Sequence, residues 1–209
     1  MDAHLRAGVA IYNAGEYHAA HDAWEAHWLD LETGTDDEQF LHGLIQFTAA
    51  VFHARNGNWS GAGGLADSAG GYLAGLPADY RGVNVGDVRR FLRSLAGDPE
   101  LVERRQPLPL LYQGQRLGLD DLELPATAVA AEVLAEEHGY DEDLIESVAA
   151  YAREDAPEQP TSPFVTLLFD FVRQPDNRGI IVRRMADHAD RRASREEDVA
   201  GLFERRDDG

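Results

Sequence analysis

Residues 39–54 constrain the fold more than any other stretch. They read Gln-Phe-Leu-His-Gly-Leu-Ile-Gln-Phe-Thr-Ala-Ala-Val-Phe-His-Ala. Phe40, Leu44, Phe47 and Val51 recur at helical spacing on one face, and Leu41, Ile45 and Phe52 widen it. Apolar residues so far round the wheel describe a helix that is largely buried. Such a helix must be surrounded, and the rest of the chain repeats the helical period. Helices are predicted over 5–12, 16–31, 59–76, 85–95, 127–138, 141–152, 164–173 and 177–192. The expected fold is all-α: a helical bundle built on an antiparallel helix pair.

Punctuation between these segments sets the organisation. Asn13-Ala14-Gly15 ends the first helix. Thr35 and Glu38 fit a capping box ahead of the buried helix. Residues 107–124 combine prolines with alternating leucines, which predicts an extended strap and one hairpin. A Pro-rich acidic linker covers 154–163, and the last fifteen or so residues form a charged end. The expected division is a helical domain over 1–118 and a C-terminal helical extension over 119–209. Residues 59–76 hold six glycines, each unfavourable in a helix. Close approach of a neighbouring backbone is the reading they suggest.

Charge excludes some partners. The 209 residues carry 38 acidic and 19 basic side chains, a formal charge of −19, and every basic residue is Arg. That balance disfavours nucleic acid, whose binding rests on neutralising phosphates. It equally disfavours an anionic membrane surface. With 44% apolar residues, the acidity reads as a halophile's solubility charge and not as disorder. No cysteine is present, so disulfides and thiolate metal sites are excluded. The absence of a signal-peptide pattern or membrane-length apolar run sets a cytoplasmic expectation.

Candidate chemistry gathers on two helices. Tyr17–Trp28 holds three histidines, two carboxylates and two tryptophans. Wheel spacing puts Tyr17, Trp24, Trp28 and Leu31 on its core face. His21 and Glu25, four apart, lie at the edge of that face, and His18 lies one ridge further out. On residues 39–54 a polar stripe carries His42, Gln46 and His53. Polar groups on a buried helix need partners. If the two helices are antiparallel neighbours, the stripes meet. His21, Glu25 and His53 are then the candidate metal ligands, with Glu25 also the candidate catalytic base. His18, Trp28, His42 and Gln46 form the supporting cleft. Imidazole with carboxylate suits zinc, nickel, iron or manganese. It suits a metal-free general acid/base pair equally well. A plainer reading also stands, with the pair at positions 21 and 25 a helix-stabilising contact and the tryptophans core residues. In that reading the chain is a non-catalytic helical binding or assembly module with a buried His/Glu/Gln network. Trp28 and Trp59 would then anchor a partner or, in a homodimer, a second copy. His4, His138 and His188 read as surface residues and His27 as structural.

The spaced residues carry a family resemblance. Tyr12-Asn13, Gly15-Glu16-Tyr17, His21-Asp22, Trp24-Glu25 and Trp28 are followed by Gly43-Leu44-Ile45-Gln46, His53, Gly57-Asn58 and Gly61-Ala62. This run resembles the domain of unknown function numbered 309 (DUF309), defined by His-x-x-x-Glu-x-x-Trp, here His21, Glu25 and Trp28. The resemblance covers roughly residues 5–76. It implies an all-helical fold and metal-dependent, hydrolase-like character. Many members place Glu two residues before the motif His and directly after it, where this chain has Ala19 and Asp22.

Overall fold

A computed structural model describes residues 1–207. Its helices are α1 (Asp2–Ala14), α2 (Tyr17–Trp28), α3 (Asp36–Arg55), α4 (Trp59–Leu73), α5 (Val85–Gly97), α6 (Leu101–Arg104), α7 (Leu124–His138), α8 (Glu142–Asp155), α9 (Pro163–Arg173) and α10 (Arg178–Asp207). A hairpin of β1 (Leu111–Tyr112) and β2 (Gln115–Arg116) interrupts them. The protein is all-α, as the helical period requires. No helix among the described residues is long and apolar enough to cross a membrane. Two compact units divide inside α7: the first spans Met1–Val133 and the second begins at Leu134. The sequence placed that division at 118. The charged C-terminal end continues α10 to Asp207, and its last two residues lie outside the described ones.

In the first unit, α1 to α5 pack in succession, each antiparallel to the next. Cross-helix contacts fix that polarity. His4 meets His27 and Tyr12 meets Tyr17. Trp28 meets His42 and His18 meets Phe52. His42 meets Tyr72, and His53 meets Asn58. Arg89 meets the carbonyl of Leu73, while Gly63 lies near Ala96. Helix α3 sits between α2 and α4, and Phe40, Leu41, Leu44, Phe47 and Val51 are fully buried there. That burial is why its apolar residues run so far round the wheel.

Helix ends follow local chemistry. Gly15 adopts φ 96°, a left-handed conformation that costs glycine little, and Glu16 N–H then reaches back to the Ile11 carbonyl. Thr35 caps α3 by accepting Glu38 N–H at 3.2 Å. Asn58 caps α4 through Gly61 N–H, and Ser162 caps α9 ahead of Pro163.

Of the glycines over 59–76, Gly63 faces a neighbouring backbone, with the Ala96 carbonyl 3.7 Å from a Cβ built there, but most need a different account from the sequence reading. A Cβ at Gly64, Gly70, Gly71 or Gly75 would meet nothing within 4 Å, so no neighbouring backbone explains them. The two closest approaches of one helix to another occur at other glycines. A Cβ on Gly8 would collide with the Trp24 indole, and one on Gly43 would lie 2.6 Å from Leu73.

The strap over 107–118 is present, and its hairpin turns through Gln113 (φ 51°) and Gly114 (φ 78°). Asn13, at the end of α1, clamps it. Its Nδ2 donates to the carbonyls of Leu110 (2.8 Å) and Leu117 (2.9 Å), and its Oδ1 accepts Leu110 N–H at 3.0 Å. Tyr12 and Asn84 add hydrogen bonds to Leu108 and Leu111. In the second unit α8, α9 and α10 pack together, with Phe171 fully buried beneath the Arg178 side chain.

Three hydrogen bonds converge on one amide, so Asn13→Ala should cost about 2–3 kcal/mol. Thermal unfolding should shift down by roughly 5–10 °C. Asn13→Asp should rescue little, because it restores only the bond from Leu110 N–H and faces two carbonyl oxygens. A melting temperature for Asn13→Ala within a degree of wild type would refute the clamp.

Candidate functional site

The site begins with how α2 is seated. Ala19, Ala20, Ala23 and Trp24 are fully buried, whereas Tyr17, Trp28 and Leu31 are half-buried. The core face is therefore mostly alanine, and of the four residues expected on it only Trp24 is in the core. The reason is crowding: α2 lies between α1 and α3, and small side chains allow both to approach. Trp24 presses on Gly8, and its indole N–H points to the Leu5 carbonyl at 3.4 Å.

That seating leaves the next flank of α2 half-exposed and polar. His21 Nε2 lies 3.7 Å from Glu25 Oε1, and His21 Nδ1 lies 3.9 Å from Asp22 Oδ1. One donor atom from each of His21, Asp22 and Glu25 falls within 4.8 Å of the others. His18 Nδ1 stands 3.5 Å from Asp22 Oδ2. The cluster offers imidazole nitrogen and two carboxylates at partial exposure, a donor set able to hold a divalent cation. Asp22 was absent from the predicted ligands, although its spacing of four from His18 is the signal that also paired His21 with Glu25.

The facing stripe on α3 divides. Contacts of Trp28 with His42 and of His18 with Phe52 (ring centroids 4.6 and 5.8 Å apart) set the register. By interpolation His21 lies opposite Ala49, and Glu25 opposite Ile45 and Gln46. Gln46 is half-buried. His42 turns from α2's histidines toward α4, stacking on Tyr72 with ring centroids 3.8 Å apart. His53 accepts a hydrogen bond from Asn58 Nδ2 at 2.8 Å, at the cap of α4. Among the described contacts none joins His53 to His21 or Glu25.

Glu38 is the residue that sequence reasoning undervalued. It was assigned to a capping box, but its carboxylate does not return to the Thr35 backbone. Buried, it accepts Trp28 Nε1–H at 3.0 Å and Gly34 N–H at 3.2 Å, and lies 3.4 Å from His42 Nδ1. The Trp28 indole chiefly holds its carboxyl below the usual range, against the opposing effect of burial. Its spacing of four from His42 was the available signal.

Two histidines read as surface residues are not. His4 is half-buried, bonded through Nδ1 to the Ala23 carbonyl (3.1 Å) and stacked on His27. Burial, the N-terminal ammonium and the His4 ring hold His27 below the ordinary imidazole range. His188 is half-buried against Phe164, while His138 is exposed.

Comparison with known proteins finds sequence similarity over part of the chain. A protein of Aquifex aeolicus (strain VF5), described as an uncharacterized protein, is 27% identical over 97 residues. The match covers 46% of this chain and 29% of that relative, so the chain spans less than a third of the relative's length. Residues 5–65, from α1 into the first half of α4, match the family model of the Domain of unknown function (DUF309), which bears out the resemblance read from the sequence over that stretch.

Proposed function

We propose that the polar flank of α2 binds a divalent metal ion and that the protein is a metal-dependent hydrolase. The observation that carries this reading is the convergence of His21, Asp22 and Glu25 donor atoms within 4.8 Å on one half-exposed helix face. One nitrogen and two carboxylate oxygens fit zinc, manganese, nickel or iron. A divalent ion held there by His21, Asp22 and Glu25 would supply Lewis acidity and lower the pKa of a water bound to it. Three protein donors leave coordination positions for water and substrate. Glu25, the most exposed of the three, is the ligand whose second carboxylate oxygen would be left to take a proton from an attacking water. Asp22 lies between the imidazoles of His18 and His21 and orients them. His53 and Gln46 stay outside this donor set.

One observation favours a second reading, a non-catalytic helical binding or assembly module. The Glu38, Trp28, Gly34 and His42 network is a buried polar cluster whose members satisfy one another, as a register lock between α2 and α3 would.

Elemental analysis of purified protein separates the two. About one metal per chain is expected, and both His21→Ala and Glu25→Ala should lose it while keeping their helical circular dichroism. Metal-free wild type whose melting temperature ignores added zinc, nickel, manganese and iron would sink the first reading. The register lock has its own test in pH. Because the folded Glu38 carboxyl titrates below its unfolded value of about 4.3, its stabilisation is present above that pH. It is lost as pH falls through the folded value. Glu38→Gln should therefore cost about 2 kcal/mol at neutral pH, and its deficit against wild type should shrink below about pH 4. A deficit that stays constant from pH 7 to pH 3 would refute the charge-assisted lock.

A further inference from the structure

A cavity lies between α4 and α5, away from the polar flank of α2, with a volume of about 540 Å³. That is within the range of small-molecule pockets. Its α4 wall is made of Ala66, Gly70 and the helix's C-cap Ala74, about one turn apart, with Asp67 at the side. Its α5 wall carries Arg89, Arg90 and Arg93. In a chain with two acids for every base, this lining holds three guanidiniums and one carboxylate.

The guanidiniums are not accounted for equally by the fold. Arg90 forms an ion pair with Asp87 on its own helix. Arg89 is fixed by neutral groups only: its Nη1 donates to the carbonyls of Leu73 (3.1 Å), Ala74 (3.1 Å) and Leu76 (2.8 Å) at the end of α4. Arg93 is exposed and has no partner among the described contacts. Arg89 and Arg93 stand four apart on one helix, where like charges repel and destabilise it. A bound anion removes that cost. Arg89 is also already ordered, so a ligand meeting it loses less freedom on binding.

The opposite wall is recessed. A Cβ on Gly70 would project into open space, so packing against another part of the protein does not require glycine there. Glycine is less favourable than alanine in a helix. What its absent side chain provides is room in front of the arginines.

We propose that this groove binds the phosphate group of a small phosphorylated molecule. Phosphate is favoured over carboxylate because its dianion can face both Arg89 and Arg93, neither of which is paired with a carboxylate among the described contacts. Its several oxygens can also accept guanidinium forks from more than one Arg at once. The proposal is independent of the metal reading, since no α2 residue lines the cavity.

Calorimetric titration with inorganic phosphate and pyrophosphate, at fixed chloride and ionic strength, tests it. Acetate and citrate serve as the carboxylate arm. Wild type should bind the phosphates saturably and more tightly than the carboxylates. Arg93→Glu should weaken phosphate binding about tenfold or more, as loss of a charge-assisted fork would. Gly70→Leu should fill the groove and abolish binding, with a melting temperature equal to or above wild type. Because Gly70→Leu leaves every charge in place, it distinguishes the groove from general attraction to arginine. Phosphate binding unchanged in Gly70→Leu would overturn the site. Equal or tighter binding of acetate or citrate would overturn the ligand class, and no phosphate heat beyond the chloride control would overturn both.

Discussion

The seating of Trp24 against Gly8 is the contact on which the rest of this fold depends. A fully buried indole fills a notch that exists only because α1 lacks a Cβ there. Truncating a buried tryptophan typically costs about 3–5 kcal/mol. The more important consequence is rotational. With Trp24 and three alanines turned into the bundle, α2 has one orientation about its axis, and that orientation decides what the neighbouring residues can do. His18, His21, Asp22 and Glu25 fall on the half-exposed flank. A rotation that put Trp28 in the core instead would break the Trp28–Glu38 hydrogen bond and turn the polar flank to a different neighbour.

Helix α3 imposes the complementary constraint. It is buried along most of its length, so each polar group it carries must be satisfied locally. Thr48 donates to the Ile45 carbonyl at 2.8 Å. His42 lies between the rings of Trp28 and Tyr72, and Glu38 collects Trp28, Gly34 and His42. His53 is taken up by the cap of α4. The α3 stripe is thus largely consumed by holding three helices in register. The α2 flank retains donors facing outward.

The elements themselves were legible in the sequence because the 3.6-residue period and the caps are local signals. Gly15, Thr35 and Asn58 mark helix ends through their own backbone chemistry, and the Gln113-Gly114 turn marks the hairpin. The family resemblance had the same basis in spaced local motifs. Partnership was less legible, because it is decided by residues far along the chain. Nothing between positions 35 and 42 says that Tyr72 will stack on His42 or that Trp28 will claim Glu38. Both depend on the angle at which α2 and α4 cross α3. The wheel also misjudged α2's core, since large aromatic residues outweigh alanines in any hydrophobic ranking. Between two close helices, alanine is what fits. The α4 glycines failed for a related reason: a sequence shows that a side chain is missing but not whether protein or open space lies in front of it.

The remaining question is how a chain so acidic could present both the proposed cation site and the proposed anion site. Two carboxylates and an imidazole on α2 are stabilised by attracting a cation, and the surrounding charge of −19 favours that binding from a distance. For the groove between α4 and α5 the same field opposes an approaching anion, and only the local guanidiniums reverse its sign. Short-range attraction must therefore outweigh long-range repulsion, which salt screens over about 8–10 Å at moderate ionic strength. Raising salt weakens the repulsion first, because the distant acidic charges lie beyond that length while the Arg forks operate at contact. Within the range where added anions do not compete directly, this protein's two candidate sites should thus respond to ionic strength in opposite senses: cation attraction on α2 falls, and the barrier to anions at the groove falls with it.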